Sequence, residues 1–296
     1  MTAAARAYLS SALDTLQHVV LRSDTVPWGR VRDSALVLAT GARKASDTYG
    51  AIAWALGRAN KHSFLQAPRP GAVSEVVGGR LGYVHVPQWS GGSSSLADSL
   101  QTALTTLSDA GVCGWIVDLR ANGGGNMWPM LAGIGPLLGD TLVGAFGTEP
   151  GADRWYYKNG VAGILHAGGA LDTVSRASVP AARLRNAGAP VAVLFDAGTG
   201  SSGEVLALAF RGRPNSRSFG EPTAGFATAN RGARLPDGAN MVVTTGYQVD
   251  RRGVAAGERI RPDEVVAGPP PGWPFATDAA AASAAAWLVA RPACRP

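Results

Sequence analysis

The chemistry in this chain concentrates in Gly198-Thr-Gly-Ser-Ser-Gly203, a turn with two serines. The apolar run Val191–Phe195 precedes it, and a helical pattern begins at once with Ser202-Gly-Glu-Val-Leu-Ala. A strand, a tight turn and a helix start in succession expose a serine hydroxyl beside backbone N–H groups that the helix leaves unpaired. The same spacing also reads as GxGxxG, the turn that cradles a pyrophosphate in dinucleotide-binding folds. A second glycine cluster, Asp118-Leu-Arg-Ala-Asn-Gly123-Gly-Gly-Asn126, follows another apolar run. Three glycines before a helix start leave backbone N–H groups unshielded and suited to holding an oxyanion. No Gly-Lys-Ser/Thr follows them, so this second turn is not a phosphate-binding P-loop.

The dinucleotide reading has a strand before the turn, a helix after it, and an acid, Glu221, at the distance where a ribose-binding carboxylate would stand. Such a fold needs further βα units beyond the acid. Residues 222–250 instead read as short strands and turns, which favours a serine nucleophile. A serine alcohol needs a neighbour to take its proton. The three lysines, Lys44, Lys61 and Lys158, all precede the serines. Of the four histidines, His18 falls in a helical pattern and His85 in an apolar strand. His166 lies in a loop-like stretch with no second polar partner. His62 stands where a helical segment ends, on a stretch free to point into a cleft.

These residues need elements to position them. Apolar positions three and four apart predict helices over 2–22, 27–42 and 45–60, with Pro27 in a first turn and Ser46/Asp47 as caps. Residues 66–80 read as a linker passing into a strand. From Leu81 strands and helices alternate: strands at Leu81–Val86, Gly114–Leu119, Thr141–Phe146 and Val191–Phe195, helices at Leu96–Ala110, Asn126–Leu138 and Ser202–Arg211. After Ser216–Gly220 the pattern becomes hairpins: Ala227–Arg234, a Pro236-Asp-Gly turn, Met241–Thr245 and Tyr247–Val249. Thr277/Asp278 caps a last helix to about Ala290.

Composition narrows the function classes. With 46% apolar and 16% charged residues the chain is globular. The net charge of +6 comes from scattered arginines rather than a basic run, which argues against nucleic acid as a partner. Cys113 and Cys294 read as a small buried hydrophobe and a thiol in a fraying tail, with no disulfide framework and no metal-ligand spacing. The alanine-rich run 279–290 is too short to span a bilayer. With no leader pattern at the start, the expected location is the cytoplasm, with no membrane partner.

Taken together, the segments Leu81-Gly-Tyr-Val-His-Val-Pro87, Val117-Asp-Leu-Arg-Ala-Asn-Gly-Gly-Gly125, Gly200-Ser-Ser-Gly-Glu-Val205, Gly220-Glu-Pro-Thr-Ala-Gly225, Leu235-Pro-Asp-Gly238 and Arg261-Pro-Asp-Glu-Val265 resemble, in order, the tail-specific or C-terminal processing serine proteases. The similar branch includes the tricorn core protease and the repeats of interphotoreceptor retinoid-binding protein, and the resemblance spans about residues 55–268.

It implies an α/β protein with a crotonase-like mixed-sheet core over 81–296, joined by the linker 66–80 to a small N-terminal helical subdomain over 1–65. It makes Ser201 the nucleophile, since the family's serine stands three residues before an acid. Family members that use a lysine place it shortly after Gly-Glu-Pro-Thr, where this chain has Phe226, so the implied base is His62. The implied oxyanion donors are the N–H groups of Ser202 and Gly124. Glu258, near the Pro-Asp motif but about two residues out of register, is the candidate to orient the base. Lys61 stands where tricorn-type sites have a serine. The short stretch between His62 and Leu81 leaves no room for a PDZ domain. No cofactor and no metal are implied. The expected substrates are peptides near a free C-terminus or, alternatively, small acyl compounds in a hydrolase or acyltransferase. A third alternative is a non-catalytic binding protein on the same fold.

Overall fold

The computed structural model describes all residues except 21–22, 61–64, 66–72, 150, 235, 237–239, 269–276 and 296. The described residues fall into two compact units, one within residues 1–69 and one within 70–296.

The first unit is helical: α1 (Ala3–Val19), α2 (Trp28–Leu38) and α3 (Tyr49–Ala59). Its apolar spacing forms its core, with Ala5, Leu9, Leu13 and Leu16 of α1 meeting Val31 and Ala35 of α2 and Ile52 and Ala55 of α3. Pro27 sits just before α2 rather than within its first turn. A short 3₁₀ turn, Ala45–Thr48, precedes α3, and the Asp47 carboxylate accepts from the Arg43 and Lys44 N–H groups there.

The second unit is built on a six-stranded sheet. Its strands are β1 (Val73–Val77), β2 (Leu81–His85), β3 (Gly114–Asp118), β8 (Val191–Phe195), β9 (Ser216–Gly220) and β12 (Glu264–Val265), in that spatial order. β1 is antiparallel to β2, and the remaining pairs are parallel. The stretch expected to be a linker thus already carries an edge strand. β3 and β8 are buried along their whole length, which is why they read as unbroken apolar runs.

One face of the sheet is covered by α4 (Ser95–Asp109), α5 (Met127–Ile134) and α6 (Ser202–Phe210), whose apolar residues share a core with Val117, Val193 and Phe195. The other face is covered by α7 (Ala279–Val289), which sets Ala280, Ala281, Ala284 and Leu288 against Ile116, Ala192, Leu194 and Phe219. The helix expected over Asn126–Leu138 ends at Ile134 and continues as a 3₁₀ turn, Gly135–Leu137.

Residues 141–176 hold a feature the sequence pattern did not reveal beyond its first strand. β4 (Thr141–Ala145), β5 (Arg154–Lys158), β6 (Val161–Leu165) and β7 (Leu171–Arg176) form an antiparallel meander. Trp155 and Tyr157 alternate inward from β5. His166, in the β6–β7 turn, contradicts its sequence reading: Nδ1 lies 2.8 Å from Asp153 Oδ1 and Nε2 lies 2.9 Å from Asp172 Oδ2. Hydrogen bonds to Asp172 and Asp153 raise its pKa above the ordinary histidine value. The hairpin strands are β10 (Thr228–Arg234) and β11 (Asn240–Tyr247), so the segment expected over Met241–Thr245 runs on to Tyr247, and of the one expected over Tyr247–Val249 only Tyr247 lies in a strand. The Pro236-Asp-Gly turn lies largely outside the described residues.

The cysteines also differ from expectation. Cys113 and Cys294 form a disulfide spanning a sequence separation of 181. Cys294, buried in the 3₁₀ turn Pro292–Cys294, is no frayed tail. Among the described residues no helix is long and apolar enough to cross a membrane.

Candidate active site

β3 and β8 are parallel neighbours, so their carboxyl ends lie side by side, and the two glycine turns leave from that edge. Parallel α/β sheets place their ligand sites at such an edge. The turns are stitched together by hydrogen bonds. Thr199 Oγ1 donates to Leu119 O at 2.8 Å, Ala121 N to Asp196 Oδ1 at 3.0 Å, and Gly200 N to Asn122 O at 3.0 Å.

Ser201 is exposed at the start of α6, while Ser202 beside it is buried. Ser201 adopts φ 50° and ψ −115°, a conformation that L-residues occupy only when their surroundings impose it, at about 1–3 kcal/mol. The surroundings here are Glu204. Its side chain has no solvent exposure and accepts four hydrogen bonds: from Ser201 N at 2.9 Å, Thr223 Oγ1 at 2.5 Å, Gly225 N at 3.0 Å and Phe226 N at 2.6 Å. One carboxylate thereby fixes the backbone of the serine and that of the loop 223–226. Ser202 donates its hydroxyl to Gly125 O at 2.6 Å, which binds the two turns together.

Gly124 fits the site only as glycine. Its φ is 110°, and a β-carbon built on it would lie 2.7 Å from Ser201 Cβ and 3.0 Å from the Ser202 nitrogen. The Gly124 backbone thus packs directly on Ser201 and Ser202. Its own N–H donates to Asn122 Oδ1 at 3.1 Å in this conformation. Asn122 is fully buried and also donates its amide to Val86 O at 3.0 Å, holding the loop against the end of β2.

Beneath the glycine turn is a buried ionic cluster. Arg120 Nη2 lies 2.5 Å from Asp118 Oδ2 and 2.7 Å from Asp278 Oδ2, and Tyr83 donates its hydroxyl to Asp118 at 2.8 Å. Burial by itself would raise the Asp118 carboxyl, but the Arg120 guanidinium holds it below the usual carboxylate range. Burial and the neighbouring Asp118 raise the Tyr83 phenol, and burial lowers His85 although Asp118 opposes it.

The structure brings Ser201, Ser202 and Gly124 together. Glu258 reaches the neighbourhood through its backbone, whose carbonyl packs on Gly225, while its side chain is exposed. His62 lies outside the described residues. Phe226, which follows Gly220-Glu-Pro-Thr-Ala-Gly225, is 63% exposed, and its ring lies 3.3 Å from a β-carbon built on Gly200. Sequence reasoning missed Glu204, Asn122 and Arg120 as supports. For Glu204 a signal was present, since Ser-x-x-Glu at a helix start is a capping-box pattern. Among the described residues no cluster of three metal-ligating side chains occurs.

Residues 80–266 match the model of Peptidase family S41. The chain belongs to that family of serine peptidases. Among curated proteins it is 29% identical over 260 residues to the nisin-resistance protein of Lactococcus lactis subsp. lactis, covering 82% of this chain and 77% of that protein. It is 27% identical over 205 residues to the chloroplastic C-terminal processing peptidase of Tetradesmus obliquus, covering 66% of this chain and 37% of the relative. Among solved structures, a lipoprotein from Streptococcus agalactiae matches 97% of both chains with a TM-score of 0.52 at 22% identity, a likeness of fold. The S41 match spans both glycine turns and the loop 223–226 and ends before α7.

Proposed function

We propose that this S41 peptidase cleaves peptide bonds at Ser201, with His62 as its general base. The Ser201 hydroxyl attacks the scissile carbonyl while His62 takes its proton. His62 then returns that proton to the leaving amine, and water releases the peptide acid from the acyl-enzyme. The observation that carries this reading is the state of Ser201: exposed, at positive φ, at a helix N-terminus, with its N–H held by buried Glu204.

The tetrahedral oxyanion would form beside the Ser202 N–H, at the positive end of α6. A second donor comes from the Gly123–Gly125 loop, each donor being worth roughly 3–4 kcal/mol. Gly124 fills that role once its N–H turns from Asn122 Oδ1 to the oxyanion. Glu258 is the group assigned to orient His62. The mixed, mostly parallel sheet with α4–α6 on one face supports a crotonase-like core. Peptides ending in a free C-terminus are the substrate class, which the processing-peptidase relatives support. The Cys113–Cys294 disulfide favours an oxidising compartment over the cytoplasm expected from the sequence.

The test is turnover of a peptide library carrying free C-termini. Wild type cleaves a subset, Ser201→Ala loses at least ~10³-fold in kcat, and Ser202→Ala keeps measurable turnover. Cleavage that survives Ser201→Ala would refute the assignment. No cleavage by a wild type that still reacts with a fluorophosphonate would move the substrate to a small acyl compound.

A further inference from the structure

We propose that Arg120 is a positioning residue for the peptidase reaction, holding the glycine turn in place by bridging Asp118 at the end of β3 to Asp278 at the start of α7. The inference rests on the Ser201 reading above, since the turn matters only if it serves that serine.

The glycine turn needs external support. Ala121, Gly124 and Gly125 take φ of 57°, 110° and 109° within five residues, and Ala121 is not a glycine. Such conformations persist only where the surroundings over-determine them. Asn122 ties the turn to Val86, and Asp196 accepts the Ala121 N–H. The residue before Ala121 is Arg120, which is 2% exposed and is held as well, by its own side chain. Its backbone N–H donates to Asp118 Oδ1 at 3.0 Å, its Nε donates to the same oxygen at 3.0 Å, and its Nη2 reaches Asp278 at 2.7 Å.

Asp278 belongs to another element. It is the N-cap of α7, accepting the Ala281 N–H at 3.0 Å on Oδ1 while Oδ2 meets Arg120. The other end of α7 leads into Cys294, which is bonded to Cys113, the residue before β3. The helix is therefore fastened to both ends of one strand, by a disulfide at the strand's start and by an ion pair at its end. Only the ion-pair end adjoins the glycine turn. Asp278 and α7 lie beyond the residues that match the S41 model, so this support is additional to the S41-matched core.

The two fastenings allow a decisive contrast in the full chain. Asp278→Asn keeps an oxygen able to cap the helix but removes the charge that faces Arg120. Cys294→Ser frees the opposite end. Peptide kcat and KM are measured for both, below the melting transition of each by circular dichroism, with Ser201→Ala in the same assay. The expected result is a 5- to 20-fold fall in kcat for Asp278→Asn with KM within twofold of wild type. Cys294→Ser is expected to melt at lower temperature with kcat within twofold. Wild-type kcat in Asp278→Asn, or an equal fall in Cys294→Ser, would overturn the proposal while turnover still depended on Ser201. Turnover independent of Ser201 would instead overturn the functional reading and this inference with it.

Discussion

The turn after β8 and the turn after β3 leave the same edge of the sheet and touch at Gly124 and Ser201, yet they are held by different kinds of interaction. The serine turn is held from inside by Glu204, which gathers four neutral donors within one short stretch of α6 and the loop 223–226. The glycine turn is held by Asn122 and by an ionic bridge to a helix on the opposite face of the sheet. A nucleophile must keep one orientation through attack and release, and a local support gives that. An oxyanion donor must point at the place where charge develops in the transition state, so the turn that carries it has to be held in shape. In this conformation the Gly124 N–H is bonded to Asn122 Oδ1, so on the proposed reading it has to turn before it can serve as a donor.

That comparison can be broken at either turn. The largest effect is expected from Glu204→Gln. Replacing one oxygen by an NH₂ group leaves two of the four donors without an acceptor in a fully buried place. A fall of ~10² or more in kcat is expected, with the serine turn no longer held at positive φ. A steady-state assay checks this against unfolding measured separately. A smaller loss, by roughly 10-fold or more, is expected for Gly124→Ala. Its new methyl would strike Ser201 Cβ, and the residue would have to hold φ 110°. The expected signature is a lowered kcat with KM little changed, since the damage falls on transition-state contacts. Wild-type kcat in either variant would show that the corresponding turn does not serve catalysis.

The residues proposed to do chemistry stood out in the sequence because both turns are contiguous motifs whose glycines and serines stand beside apolar runs. Of the parallel strands, β2, β3 and β8 were legible as unbroken apolar runs, β3 and β8 being buried throughout, whereas the partly exposed β9 and the two-residue β12 were not. The antiparallel strands β5, β6 and β7 were not, because each is partly exposed and so presents no unbroken apolar run. Supports that cross the sequence were invisible as well. Nothing local to Cys113 points to Cys294, and nothing near Arg120 points to Asp278, because only the packing of α7 on the sheet brings them together. Glu204 was visible as a motif letter, but its role depends on the return of the loop 223–226, which no pattern around residue 204 encodes.

The central claim is that the exposed serine of the first turn, and not its buried neighbour, forms the covalent bond. Incubation of the full chain with a fluorophosphonate, followed by proteolysis and mass spectrometry, locates that bond directly. The expected result is a single adduct on Ser201 that disappears in Ser201→Ala and forms far more slowly in His62→Ala. An adduct on Ser202, or equal labelling of wild type and Ser201→Ala, would contradict it.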